Sequence, residues 1–98
     1  MAMFLVVLRR SGPEWDPGRP MEEQSGWAEH ARFMDAVVDA GFLVLGGPLA
    51  DDHRVVHVIE AESEDAVRAR LAADPWSDTH LQVHSIDAWT IRLDGRRA

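Results

Sequence analysis

Cysteine is absent from the 98 residues, which removes disulfides, thiolate nucleophiles, thiolate metal sites and thiol redox chemistry together. Long apolar runs are absent as well, and nothing approaches the roughly 20 residues that a helix needs to cross a bilayer. The opening MAMFLVVL is followed by Arg9 and Arg10 instead of being led by basic residues, the wrong order for a secretory signal. Lysine is missing too, so the basic residues are all arginines, scattered along a chain of net charge −7. That balance argues against a nucleic-acid partner, whose phosphates need a basic surface. No glycine-rich phosphate loop of the dinucleotide or Walker kind occurs, so no nucleotide cofactor is expected. The chain is read as soluble and cytoplasmic, with no membrane partner. At 46% hydrophobic residues it is expected to form one domain over 1–98, small enough to gain from a partner subunit.

What is present is organised around Ser25 to Pro48, SGWAEHARFMDAVVDAGFLVLGGP, which reads as a helix, a stop, a buried strand and a tight turn. Trp27, His30, Met34, Val37 and Gly41 recur at the three-and-four spacing of one helical face. His30 is the polar residue of that stripe, so its imidazole should point into protein. It is either a group that carries chemistry or a core histidine with one ring nitrogen bonded to a backbone carbonyl. Ser25 is placed to cap the helix with its hydroxyl, and Gly41 to stop it where positive φ is favoured. Phe42 to Leu45 follows as a buried strand, closed by Gly46, Gly47 and Pro48. Two glycines at a strand end mark a plain turn, a bulge, or a close approach of backbone to a ligand or a neighbouring chain.

The other elements fall in order around this stretch. Met3 to Arg9 is a short apolar run, read as a strand buried on both faces. Residues 10–24 hold Gly12, Pro13, Pro17, Gly18 and Pro20 among acids, a composition for a long surface loop. Within it Trp15 either folds over a pocket or covers an edge of the core. Leu49 to Arg54 reads as a hairpin connection and Val55 to Glu60 as the third strand. Ser63 opens a second helix, with Glu64 and Asp65 at the favourable end of its dipole and Glu64 paired with Arg68. Ala66, Val67 and Leu71 form its inner face, and it ends by Ala73 because Asp74 precedes Pro75. Val83 to Leu93 is the last strand and 94–98 a solvated tail. The order β-α-β-β-α-β predicts an α+β, ferredoxin-like fold, four antiparallel strands with two helices on one face. Because the first three strands are apolar at both parities, the opposite face would expose a large apolar patch, and a second copy is expected to cover it.

Asp74 is the second residue of chemical interest. An aspartate before proline often initiates a turn with its own side chain. As the partner of an imidazole it would instead fix the tautomer and stabilise the imidazolium, letting histidine act as a general base near neutral pH. His53 and His57, and His80 and His84, are each four apart, a spacing that suits a metal on a helix but separates the rings by roughly 13 Å on a strand. Neither pair falls on a predicted helix, so no metal site is expected. Asp87 shares parity with Val83, Trp89 and Ile91 and either lines a pocket or sits at a solvated strand end.

The chain resembles the YCII-related family over nearly its whole length. The resemblance is carried by His30 within WAEHARFMD, by Gly46-Gly47-Pro48, by Asp74-Pro75-Trp76 and by Trp89. It implies a ferredoxin-like domain that dimerises sheet to sheet into an α/β barrel. It further implies that His30 and Asp74 match the histidine and aspartate proposed as an active-site pair in that family, with a pocket nearby. Similar folds serve dehydrochlorination, muconolactone isomerisation and cofactor-free oxygenation. The chain departs from the commoner pattern in its long loop after the first strand and in His80, where a glycine is usual.

These readings lead to a homodimeric, cofactor-free lyase or isomerase acting on a small organic molecule. His30 would be the general base or acid and Asp74 its orienting carboxylate. Backbone around Gly47 and Pro48 would form a wall or an amide donor for a developing oxyanion, and Trp15, Trp27 and Trp76 apolar walls. The alternative is a non-catalytic small-molecule-binding or interaction module in which His30 and Asp74 are a structural pair.

Overall fold

The computed structural model describes residues 1–96; of the tail expected over 94–98, residues 97 and 98 lie outside the described residues. Strand β1 (Ala2–Arg10) is followed by helix α1 (Trp27–Asp39), strands β2 (Leu43–Pro48) and β3 (Arg54–Ala61), helix α2 (Glu64–Leu71) and strand β4 (Leu81–Trp89). All pairings are antiparallel, in the order β2-β3-β1-β4. This is the ferredoxin-like α+β arrangement that the element order predicts.

Alternation along the strands sorts the sheet into two faces. Phe4, Val6, Leu8 and Arg10 are buried along β1, and Val55, His57, Ile59 and Ala61 along β3. The register sets Val6 opposite His57 and Leu8 opposite Val55, and directly opposed residues share a face. The apolar members of this set form the core with Val37 of α1, Val67 and Leu71 of α2, and Phe42, Leu43, Trp76 and Leu81. The other face carries half-buried Met3, Leu5, Val7, Val56 and Val58, with Leu45 55% and Trp89 45% exposed.

Helix α1 ends as its sequence dictates. Gly41 stands at φ 77°, its amide bonds to the Val38 carbonyl, and the Phe42 amide bonds to that of Val37, a Schellman closure. Its start differs from expectation. The residue at the cap is Gly26, at φ 74°, and no side chain caps the helix, because the Ser25 hydroxyl is engaged 3.0 Å from Nε2 of His80. In α2, by contrast, Ser63 Oγ accepts from the Ala66 amide at 3.1 Å as expected.

Two strand boundaries also differ. Gly46, Gly47 and Pro48 are not a turn after β2 but its second half, paired with His57, Val56 and Val55, after a register irregularity between Leu43 and Leu45. A side chain at position 46 would have its Cβ 3.0 Å from Cδ2 of His57, so the glycine makes room for a ring. Strand β4 spans Leu81–Trp89 where 83–93 is predicted, with a bulge that shifts its register against β1 between Val7 and Leu8. The long loop starts one residue later than predicted, since Arg10 belongs to β1, and it contains a 3-10 turn at Met21–Glu23. Gln24 fastens it internally: its Oε1 accepts from the Asp16 amide at 2.9 Å, and its Nε2 donates to the carbonyls of Asp16 at 2.6 Å and Arg19 at 2.9 Å.

Gly12 and Gly41 separate two kinds of glycine requirement. Both have positive φ, but a Cβ at Gly12 would lie 2.6 Å from the Thr79 carbonyl oxygen, whereas one at Gly41 meets nothing within 4 Å. Gly41→Ala is expected to cost about 1 kcal/mol, the backbone penalty alone. Gly12→Ala must also displace backbone and is expected to cost roughly 3 kcal/mol. Urea unfolding of the two variants checks the ordering.

Candidate functional site

The site is built on the corner that follows α2. Asp74 cannot continue the helix before Pro75, and its Oδ1 turns back to accept from the Trp76 amide at 2.9 Å. The same oxygen lies 2.8 Å from Nδ1 of His30, with both side chains buried. An ionised carboxylate only accepts, so Nδ1 is the donor and Nε2 is the ring's remaining nitrogen. One oxygen of Asp74 thus meets both the turn amide and the imidazole.

Trp76 is the centre of an aromatic stack. Its indole is 1% exposed, and its Nε1 donates to the Ser25 carbonyl at 2.9 Å. The His30 ring lies parallel to it at 4.1 Å and 7°. His80 stacks with it at 4.7 Å and 16°. Glycine suits position 26 beside this indole, since its φ is 74° and a Cβ there would stand 3.2 Å from Nε1. Both nitrogens of His80 have hydroxyl neighbours, Ser25 Oγ at 3.0 Å and Thr79 Oγ1 at 2.8 Å. Burial pushes its pKa below the ordinary histidine value.

A cavity of about 490 Å³ opens between α1 and the sheet, within the range of small-molecule sites. Trp27, His30 and Met34 line it from the helix, Leu43, Gly46, Gly47 and Pro48 from β2, and Val55 and His57 from β3. Arg10, Met21, Trp76 and Leu81 complete most of the wall, and Asp35 reaches it at the exposed mouth. The structure therefore brings His30, Gly47, Pro48, Trp27 and Trp76 to one cavity, with Asp74 behind His30. Trp15 stands outside this wall, edge-on to Trp76 at 6.0 Å. Asp87 is exposed and sits opposite Leu5, on the sheet face away from the cavity.

The remaining histidines do not meet in pairs. His57 is buried on β3 while His53 is exposed in the preceding hairpin, and exposed His84 sits 3.4 Å from Arg9 Nε. Among the described residues, no group of three or more histidines or carboxylates is arranged to hold a metal ion. Two polar cavity residues are missed as pocket residues by the sequence reading: His57, which it weighs only as a metal ligand, and Arg10. Strand parity would have found both, since they fall on the same alternation as Val55 and Ile59, and as Val6 and Leu8, and therefore face the helices.

His57 is 4% exposed, and its Nδ1 has no hydrogen-bond partner among the described residues. Burial pushes its pKa down to about 4 from 6.5, opposed by the Asp74 charge and reinforced by His30. Between those two values the unfolded chain binds a proton that the folded chain refuses, so stability rises with pH across the window and is lost as pH falls. Acidification from pH 7 to 4.5 is therefore expected to destabilise the wild type by about 2–3 kcal/mol more than His57→Leu. Denaturant titrations of both proteins at the two pH values read this difference.

Among the described residues, no helix is long and apolar enough to cross a membrane. No curated protein matches the chain. The family model of the YCII-related domain matches residues 3–89, a span from the second residue of β1 to the last of β4 that includes His30, Asp74 and every strand of the sheet. The chain belongs to the YCII-related family.

Proposed function

We propose that the protein is a cofactor-free enzyme of lyase or isomerase type that moves a proton on a small organic substrate and works as a homodimer. The observation that carries this reading is the buried contact of Asp74 Oδ1 with His30 Nδ1 at 2.8 Å, beside a largely apolar cavity. With Nδ1 held as donor, Nε2 of His30 takes a proton from substrate, and the Asp74 carboxylate stabilises the imidazolium that results. The parallel Trp76 face, 4.1 Å away, adds a cation–π contribution to the same charged state. The proton then returns to a different substrate atom in an isomerisation, or the electron pair of the broken C–H bond expels a leaving group in an elimination. Gly47 and Pro48 line the cavity from β2, and substrate lies against that backbone.

The second reading, a binding module, has its own support: Oδ1 of Asp74 also holds the Trp76 amide, a structural task. The two readings part on solvent exchange. Incubation in D₂O with a panel of small organic acids, lactones and phenols is expected to show deuterium entering a substrate C–H by NMR. His30→Gln should slow that exchange by roughly 100-fold or more. Specific binding without exchange, unchanged in His30→Gln, would favour the module.

The dimer is argued from the uncovered sheet face, where Met3, Leu5, Val7, Val56 and Val58 are half-buried and Leu45 and Trp89 exposed. An apolar surface of this kind is favourably removed from water by a second copy. Sedimentation at micromolar concentration is expected to give the dimer mass, and Val58→Asp, which places a charge in the middle of that face, the monomer mass.

A further inference from the structure

The His30 site leaves His80 without a task, yet its ring is placed as a general base is placed. It is 2% exposed and stacked on Trp76, so its plane is fixed. Nε2 lies 3.0 Å from the Ser25 hydroxyl and Nδ1 2.8 Å from the Thr79 hydroxyl. The Thr79 hydroxyl has an acceptor of its own, the Pro75 carbonyl at 3.4 Å, which leaves its oxygen to accept from Nδ1–H. Nε2 then holds the lone pair, and the Ser25 O–H donates to it. Burial, with the nearby His30, outweighs the pull of the Glu14 and Asp74 carboxylates and holds the His80 pKa below the ordinary histidine value. The ring is therefore neutral near pH 7 and able to take a proton.

Ser25 joins this buried ring to the surface. It is exposed, and with Glu14, Asp16, Arg19, Glu23 and Gln24 it lines a cavity of about 300 Å³ that shares no residue with the cavity beside His30. Gln24 fastens the walls through its bonds to Asp16 and Arg19. Ser25 also stands immediately before α1, whose start no side chain caps. Negative charge developing on an oxygen attached through Oγ is thus at the favourable end of the helix dipole.

We propose that Ser25 and His80 form a second reactive centre, a serine nucleophile and its general base, which takes the acyl group of a small ester or thioester. Ser25 Oγ attacks the carbonyl carbon as Nε2 of His80 removes its proton. The tetrahedral oxyanion then collapses, the bond to the leaving oxygen or sulfur breaks, and Nε2–H returns the proton to the leaving group. Water, deprotonated by the same Nε2, cleaves the acyl-serine to the free acid and restores the hydroxyl. Three carboxylates and one guanidinium line the cavity, and that guanidinium, of Arg19, lies 3.3 Å from Asp16. The site therefore favours a cationic leaving group over an anionic one. This centre does not depend on what His30 does in the other cavity.

Acetylthiocholine and S-acetylthioglycolate, a cationic and an anionic thioester, test it. Each releases a thiol, and a chain without cysteine gives a thiol reagent nothing else to read. Relative to its spontaneous hydrolysis, the cationic thioester is expected to be cleaved at least about tenfold faster than the anionic one. The rate should be level between pH 7 and 8, where hydroxide-driven hydrolysis rises about tenfold. Diisopropyl fluorophosphate should stop the reaction, losing fluoride and leaving its phosphoryl group on the Ser25 peptide by mass spectrometry. Ser25→Ala keeps the backbone carbonyl that holds Trp76, so it should give the ¹H–¹⁵N spectrum of a folded protein while losing both turnover and label. His80→Gln should slow labelling by roughly 100-fold or more. Wild-type protein that stays unlabelled at Ser25, a preference for the anionic thioester, or turnover retained in Ser25→Ala would overturn the proposal.

Discussion

Oδ1 of Asp74 holds the Trp76 amide and faces Nδ1 of His30, so the shape of the corner after α2 and the setting of an imidazole on α1 depend on the same atom. From that corner the Trp76 indole reaches back to the Ser25 carbonyl at the start of α1, giving the two segments a second tie. The stack follows: with its edge pinned, the indole has one plane available, and His30 and His80 take its two faces. Gly26 permits the approach, and its positive φ sets the entry angle of α1. Burying a carboxylate costs less when it is hydrogen-bonded, and Oδ1 of Asp74 takes its two partners from residues that also build the cavity wall.

The helix side and the sheet side of the cavity are made on opposite principles. On the helix side Oδ1 of Asp74, Nε1 of Trp76 and both ring nitrogens of His80 have partners within the protein, which makes a pre-organised surface. On the sheet side Nδ1 of His57 is unpaired and Arg10 is only partly satisfied.

Much of this was legible in the residues. The three-and-four spacing around His30, the Gly41 stop, the Ser63 cap and the proline after Asp74 are local signals with local causes, and the order of elements they define is the observed one. The reading failed where a distant contact overrode the local rule. Gly46-Gly47-Pro48 has turn composition, yet Gly46 is a strand residue because of a ring across the ladder on β3. Ser25 has the chemistry of a cap, yet its hydroxyl is held by His80, far along the chain. His57 and Arg10 were legible by parity but obscured by type: a histidine in a strand draws attention to its spacing from other histidines, and an arginine at a strand end reads as the beginning of solvent. That His30 and the Trp76 amide meet the same oxygen of Asp74 could not be read from either segment, since it depends on how α2 and α1 lie across the sheet.

The sheet's two edges narrow how the molecule can meet its surroundings. An outer strand with free amides and carbonyls is a template onto which foreign chains add. Here one edge is β2, where Pro48 contributes no amide and the Leu43–Leu45 irregularity interrupts the ladder, and the other is β4, bent by its bulge opposite Val7 and Leu8. Neither offers a long, straight row for lateral growth. An α+β chain with a half-bare apolar sheet would otherwise be a candidate for runaway fibre formation, and the irregularities that shape the cavity mouth and the last strand also guard it against polymerising through its own backbone.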